Sequence, residues 1–167
     1  TVMFLLVLGG NIQSAKAQSS DIDWTQNAID FRDAVNKNVY LYNKTHKGFL
    51  NAGGTYGMQA VLNPRGIRLT LRQNGEIYYL EGPVKNESEY NKGNCIGIIN
   101  LNYDIYIDLA VPTKYSKTAL TLTASGTNTF TINTDGRYYN YDETEGYIIA
   151  NGRAYDADEW CLVEADD

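Results

Sequence analysis

The sequence lacks most of what covalent stapling, metal binding or acid–base catalysis needs. Its 167 residues include two cysteines, Cys95 and Cys161, and a single histidine, His46. Two thiols are too few for a disulfide scaffold. With no His cluster, two distant cysteines do not make a zinc site. Positive charge is scarce as well: 14 Lys and Arg stand against 20 Asp and Glu, a formal net charge of -6. That balance lacks the basic stripe a nucleic-acid partner requires. No phosphate loop is present, because the glycines around Gly53 and Gly54 lack the Lys and following helix that such a loop uses. No sustained helical amphipathicity follows Asn38, and the apolar run Val2–Leu8 is too short to cross a bilayer.

That run has a different reading. Val2-Met3-Phe4-Leu5-Leu6-Val7-Leu8, followed by Ala15-Lys16-Ala17 before Gln18, has the form of an apolar signal-peptide core and its small-residue cleavage site. Residues 1–17 are therefore expected to be part of an export signal. Residues 18–38 form a polar lead-in, and 39–167 form one domain, secreted, periplasmic or at the cell surface, with no membrane span after signal removal. In an exported protein Cys95 and Cys161 are free to pair or not, depending on geometry. Asn43-Lys44-Thr45 and Asn86-Glu87-Ser88 match the glycosylation pattern, which matters only in a eukaryotic secretory pathway.

From Val39 onward the pattern has period two. Val39 and Leu41, Leu69 and Leu71, Ile105, Ile107 and Leu109, and Phe130 and Ile132 alternate with more polar or aromatic neighbours, as half-buried strands do. Turn residues separate them at Asn63-Pro64-Arg65-Gly66, Asn74-Gly75, Ser125-Gly126, Thr134-Asp135-Gly136 and Asn151-Gly152. The 14 tyrosines suit pleated surfaces.

Three phrases recur. Two apolar residues followed by Asn appear at Phe49-Leu50-Asn51, Ile98-Ile99-Asn100 and Tyr138-Tyr139-Asn140. Each is followed by Leu69-Thr70-Leu71, Leu120-Thr121-Leu122 or Trp160-Cys161-Leu162, at a distance of 21, 23 and 23 positions. Each is preceded by Val39-Tyr40-Leu41, Tyr78-Tyr79-Leu80 or Phe130-Thr131-Ile132. An internal repeat of about 40 residues decides the fold class. Three copies, about 39–75, 76–126 and 127–165, with four strands each, predict an all-β fold of the β-trefoil type: a pseudo-threefold six-stranded barrel with a cap of three hairpins. Closure removes exposed sheet edges. The middle copy carries a polar insertion, Pro83 to Asn94, expected as an exposed loop. A two-sheet sandwich also uses many short strands, but it gives no reason for a phrase repeated at matched spacing.

Tyr40-Leu41-Tyr42-Asn43, Gly48-Phe49-Leu50-Asn51-Ala52-Gly53-Gly54 and Gln59-Ala60-Val61-Leu62 together resemble a repeat of ricin-type β-trefoil modules and of related repeats in exported bacterial proteins. The resemblance spans about Val39 to Ala165. It implies that Asn51, Asn100 and Asn140 occupy the place of a sugar-binding Asp. It also implies that Tyr56, Tyr103 and Tyr147 are the nearest counterparts of the stacking aromatic. Of the family's Gln-x-Trp signature only Trp160 remains, with Asp158 in the Gln position; Leu69 and Leu120 stand in the other copies.

Two readings of the Asn triplet stay open. In one, Asn closes a hairpin, its side chain satisfying turn amides. Alternatively, Asn and a neighbouring Tyr form a shallow sugar site, with Asn51, Tyr56 and Gln59 in the first copy, Asn100, Tyr103 and Asp104 in the second, and Asn140 in the third. The carboxylates at Asp142, Glu143, Glu145 and at Asp156, Asp158, Glu159 read as solvated turns, and Trp160 as a barrel-floor residue. The expectation is a non-enzymatic, monomeric carbohydrate-binding module with a glycan or polysaccharide partner, no cofactor and no metal. A β-trefoil protease inhibitor using the 83–94 loop, and a ligand-free accessory domain of a larger secreted protein, are the alternatives.

Overall fold

A computed structural model describes residues 22–52, 59–82, 96–99, 104–107 and 118–166. Residues 1–17, expected to be an export signal, the 83–94 insertion, Cys95, Tyr56, Asn100 and Tyr103 lie outside the described residues. The protein is all-β. In chain order the strands are β1 (Ala28–Ile29), β2 (Asn38–Asn43), β3 (Gly48–Ala52), β4 (Ala60–Asn63), β5 (Leu69–Asn74), β6 (Ile77–Glu81), β7 (Ile96–Ile99), β8 (Asp104–Ile107), β9 (Thr121–Gly126), β10 (Thr129–Thr134), β11 (Arg137–Asp142), β12 (Tyr147–Gly152) and β13 (Trp160–Glu164).

The sheet is barrel-like. β2 pairs with β5, β5 with β6, β9 with β10, β10 with β13, and β13 with β2. The remaining junction, between β6 and β9, is a bridge in which Tyr78 and Leu120 exchange two backbone hydrogen bonds of 2.9 Å. The other strands form antiparallel hairpins, β3–β4, β7–β8 and β11–β12.

Alternating apolar side chains of these strands meet in one core. Leu41, Leu69, Leu71, Leu80, Leu120, Phe130, Ile132, Trp160 and Leu162 are all buried in it. Each fully buried side chain of this size stabilises the fold by roughly 1.5–3 kcal/mol. Phe31, from the lead-in, packs edge-on against Tyr78 and Phe130, both at 5.4 Å between ring centroids. The tight turn between β10 and β11 uses Asp135 and Gly136, both at positive φ (52° and 79°), the backbone form that two-residue hairpins favour.

Several expectations shift. β2 was expected to be half-buried, yet Val39, Tyr40, Leu41, Tyr42 and Asn43 are all buried. The lead-in is the reason. A 3-10 turn at Trp24–Asn27, capped by the Asp23 carboxylate accepting from Thr25 N at 3.0 Å, lays Trp24 over a second cluster of Tyr40, Tyr42, Phe49, Cys161 and Val163. The expected Ser125-Gly126 turn falls inside β9, and the reversal comes at Thr127-Asn128, where Asn128 takes φ 56°. Asn151-Gly152 likewise ends β12 and does not turn the chain. Cys161 is an unbonded, buried thiol.

Candidate functional site

Two places gather polar and aromatic side chains. The first is where the β2–β3 turn meets the third hairpin. Asn43, at the end of β2, is fully buried, and its Oδ1 accepts from His46 N at 2.7 Å. Its Nδ2 donates to Asp158 Oδ2 at 2.8 Å, and the same oxygen accepts from Tyr141 N at 2.8 Å. His46 Nδ1 lies 3.1 Å from Glu143 Oε1, and its Nε2 lies 3.4 Å from Asp158 Oδ1. The ring also meets Tyr141 edge-on at 5.3 Å. Both imidazole nitrogens therefore face carboxylates, and neither is left as a base aimed at a substrate.

Beside this network opens a cleft of about 220 Å³, lined by Trp24, Tyr42, Phe49 and Tyr141 together with His46 and Asn63, among others. Burial pushes the Tyr42 phenol up to about 12, and its hydroxyl donates to the Ile22 carbonyl at 3.3 Å. Trp24, Tyr42 and Phe49 are buried and form its floor, while the half-buried Tyr141 ring, the His46 imidazole and the Asn63 amide stand at its edge.

The second place is the loop between β12 and β13. Asn140, inside β11, donates from Nδ2 to the Asp156 carbonyl at 3.2 Å and accepts at Oδ1 from Asp158 N at 2.8 Å. Asp156 accepts at Oδ1 from Arg153 N at 2.8 Å. The loop thus held presents Tyr155, which is 79% exposed. Asn51, inside β3, likewise donates from its Nδ2 to the Arg65 carbonyl at 2.6 Å, after β4. Asn51 pairs with Val61 across β3–β4, and Asn140 pairs with Ile149 across β11–β12.

The sequence-predicted residues are thus dispersed. Asn51 and Asn140 stand in matching places, mid-strand and not at the hairpin turn, and hold carbonyls of the loops that follow their hairpins. Gln59 directly precedes β4, half-buried. Asp104 opens β8 opposite Ile149. Tyr147 begins β12 opposite Asp142. Among the described residues, Asn51, Gln59, Asn140 and Tyr147 do not line the cleft. Asn43, the first glycosylation motif, is sealed by burial and its bond to Asp158. The Glu143–His46–Asp158 arrangement has no local sequence signature, since His46 lies in a polar turn far from both carboxylates in the chain. The usable signal was Asp158 in the Gln place of a Gln-x-Trp phrase, next to a strand. Among the described residues no group of three or more His, Cys, Asp or Glu is placed to hold a metal ion, and no helix is long and apolar enough to cross a membrane.

No protein-family model matches the chain, and no curated protein matches it either. Solved structures do. A complex of lysenin with phosphocholine matches at a TM-score of 0.59 and 12% identity over 78% of this chain and 45% of that one. The lysenin pore matches at 0.59 and 13%, over 78% and 46%. A structure described as type II water soluble Chl binding proteins matches at 0.59 and 9%, over 80% and 93%. The chain spans under half the length of the lysenin chains it matches. At such identities the likeness is one of fold alone.

Proposed function

We propose that this chain is an exported β-trefoil carrying a non-enzymatic carbohydrate-binding surface on its hairpin end. Support for the trefoil comes from the succession β2, β5, β6, β9, β10, β13 around the barrel. The hairpins β3–β4, β7–β8 and β11–β12 fall at the corresponding place in each copy, and Asn51 and Asn140 have matching roles. The observation that carries the function is the cleft of about 220 Å³ where the half-buried Tyr141 ring and the polar edges of His46 and Asn63 stand over a floor of buried Trp24, Tyr42 and Phe49. Apolar lining with a few placed polar groups is the general recipe for fixing a small polar ligand, and a sugar ring has both an apolar face and a hydroxyl rim. Binding at one such site is weak, and a second site in the same chain adds avidity.

A glycan array probed with the wild-type chain, Asn51→Ala and Tyr141→Ala tests this. The wild type is expected to retain a defined set of glycans. Tyr141→Ala is expected to lose about tenfold in affinity by removing ring surface, a change of about 1.4 kcal/mol. Asn51→Ala is expected to weaken binding through the loop it holds, since Asn63 and Pro64 form a wall of the cleft. Phosphocholine, the ligand named in the lysenin complex, belongs on the same array as a control. A wild-type chain that retains no glycan defeats the reading, and unchanged binding in both variants removes the cleft from it.

A further inference from the structure

Tyr155 is unusual among the large apolar or aromatic residues of this chain. Among the described residues only it and Ile22 are exposed, at 79% and 43%. An exposed ring normally sits on a mobile side chain, and ordering it on binding costs entropy. Here the loop is already fixed. Asp156 N donates to the Arg153 carbonyl at 3.1 Å, Arg153 N donates to Asp156 Oδ1 at 2.8 Å, and Asn140 holds the Asp156 carbonyl at 3.2 Å. The ring itself is tied down: Arg153 Nη1 donates to the Tyr155 hydroxyl at 3.1 Å, and the guanidinium carbon lies 6.0 Å from the ring centroid. Among the described residues the Arg153 guanidinium has no ion-pair partner. The Asp156 carboxylate nearest in sequence is engaged by the loop's own backbone.

We infer that Tyr155 and Arg153 form a second, open sugar-contact site that selects a carboxylate-bearing pyranose. The ring supplies a preorganised stacking surface. The guanidinium beside it supplies the planar pair of donors that a carboxylate accepts in bidentate fashion. The net charge of -6 opposes an anionic ligand at long range, so the selection comes from the short-range Arg153 contact. Asn140 is then a positioning residue that holds the loop, with both ends of its amide engaged within the chain. Among the described residues, the first-copy loop held by Asn51 presents Arg65 and no aromatic ring, so of these two loops the one after β12 is equipped for stacking. This inference rests on the carbohydrate-binding reading but uses a site separate from the cleft.

Affinity electrophoresis through gels containing polygalacturonate or an uncharged galactan tests it, using wild type, Tyr155→Ala, Arg153→Gln and Tyr141→Ala. The polygalacturonate gel is expected to retard the wild type more than the galactan gel. Tyr155→Ala is expected to lose at least tenfold in affinity for polygalacturonate. Arg153→Gln is expected to lose the preference for the acidic polymer while keeping any binding to the neutral one. Tyr141→Ala should keep the preference. All four chains have their folding checked by thermal melting, and both substituted positions of the proposed site are exposed. Retardation of Tyr155→Ala and Arg153→Gln equal to that of wild type overturns the inference and leaves the carbohydrate reading standing. A wild type retarded equally by both gels, or by neither, overturns it too. If the glycan array is also blank, the broader reading falls with it.

Discussion

Asn43 and Asp158, 115 residues apart, share a hydrogen bond of 2.8 Å, and both side chains are almost wholly buried. The Asp158 carboxylate also takes the Tyr141 backbone N–H and faces His46. One carboxylate, just before β13, therefore joins the end of β2 to the end of β11. Asp158→Ala leaves the Asn43 amide and the Tyr141 N–H buried without an acceptor. An orphaned buried donor costs about 1–3 kcal/mol, so the variant is expected to lose roughly 2–4 kcal/mol in urea unfolding. Asp158→Asn keeps one acceptor oxygen and is expected to lose less than half as much. Equal losses for the two would show that shape, not hydrogen bonding, matters at this position.

Acid should weaken the fold, and the direction follows from three carboxylates. For Glu159, burial alone would raise the value, but hydrogen bonds from Ser125 and Thr129 and the charge of Lys44 outweigh it and hold the carboxyl below its ordinary range. Hydrogen bonds from the Arg32 side chain and backbone lower Asp30, and those from the Thr25 hydroxyl and backbone lower Asp23. A carboxylate with a depressed folded-state value binds protons more readily when unfolded. Its stabilisation is complete above the ordinary carboxylate range and is lost as pH falls through the lower folded values. Melting temperature is expected to be flat in this respect near neutrality and to drop below about pH 4. Glu159→Gln should make that drop shallower; an unchanged acid limb would remove Glu159 from the account.

Cys161 reports on opening of the fold. Burial is the main reason its thiol is pushed up to about 12, and the Trp24 cluster covers it. Only the thiolate reacts with disulfide reagents. In a Cys95→Ser background at pH 8, labelling of Cys161 should be slower than in the unfolded chain by about a thousandfold or more. The same raised value means that the unfolded thiol ionises first, so this group costs stability as pH rises through the ordinary thiol range. Removing residues before Ala28, and Trp24 with them, should accelerate labelling strongly. Rapid labelling of the intact chain would contradict the burial described.

The all-β class and the core positions were readable because half-buried strands write their core into every second residue. Leu41, Leu71, Leu80, Ile132 and Leu162 are buried as the alternation required. Trp160, fully buried, donates from its indole to the Tyr139 carbonyl at 3.1 Å, which suits a core residue. The matched Asn phrases led to Asn51 and Asn140, which have matching roles. Other features were invisible for physical reasons. The outer face of β2 is covered by Trp24, and that contact depends on how the lead-in crosses the strands, not on any period in β2. His46, Glu143 and Asp158 meet across 97 and 112 positions of chain, and no local pattern marks such a meeting. Asn151-Gly152 looked like a turn because turn dipeptides and close-packing glycines share one composition.

That last glycine gives a sharp test. Gly152 closes β12 against the Asn140 amide, and a Cβ built there would fall on Asn140 Nδ2, with Cγ at 2.8 Å and Oδ1 at 3.1 Å. The φ of Gly152 is not in the left-handed region, so the objection to a larger residue is contact, not backbone strain. Gly152→Ala must push the Asn140 amide away, which breaks its bonds to the Asp156 carbonyl and the Asp158 N–H. Overpacking of this kind costs about 1–3 kcal/mol, and the two lost hydrogen bonds place the change at the upper end. Hydrogen exchange should then show faster exchange of the Asp156 and Asp158 amides, with β5 and β6 unaffected. Gly136→Ala, at a φ of 79° with open space around it, destabilises through backbone strain alone and serves as the contrast. If Gly152→Ala leaves the exchange of 153–158 unchanged, Asn140 is not what holds the loop, and the fixed presentation of Tyr155 needs another cause.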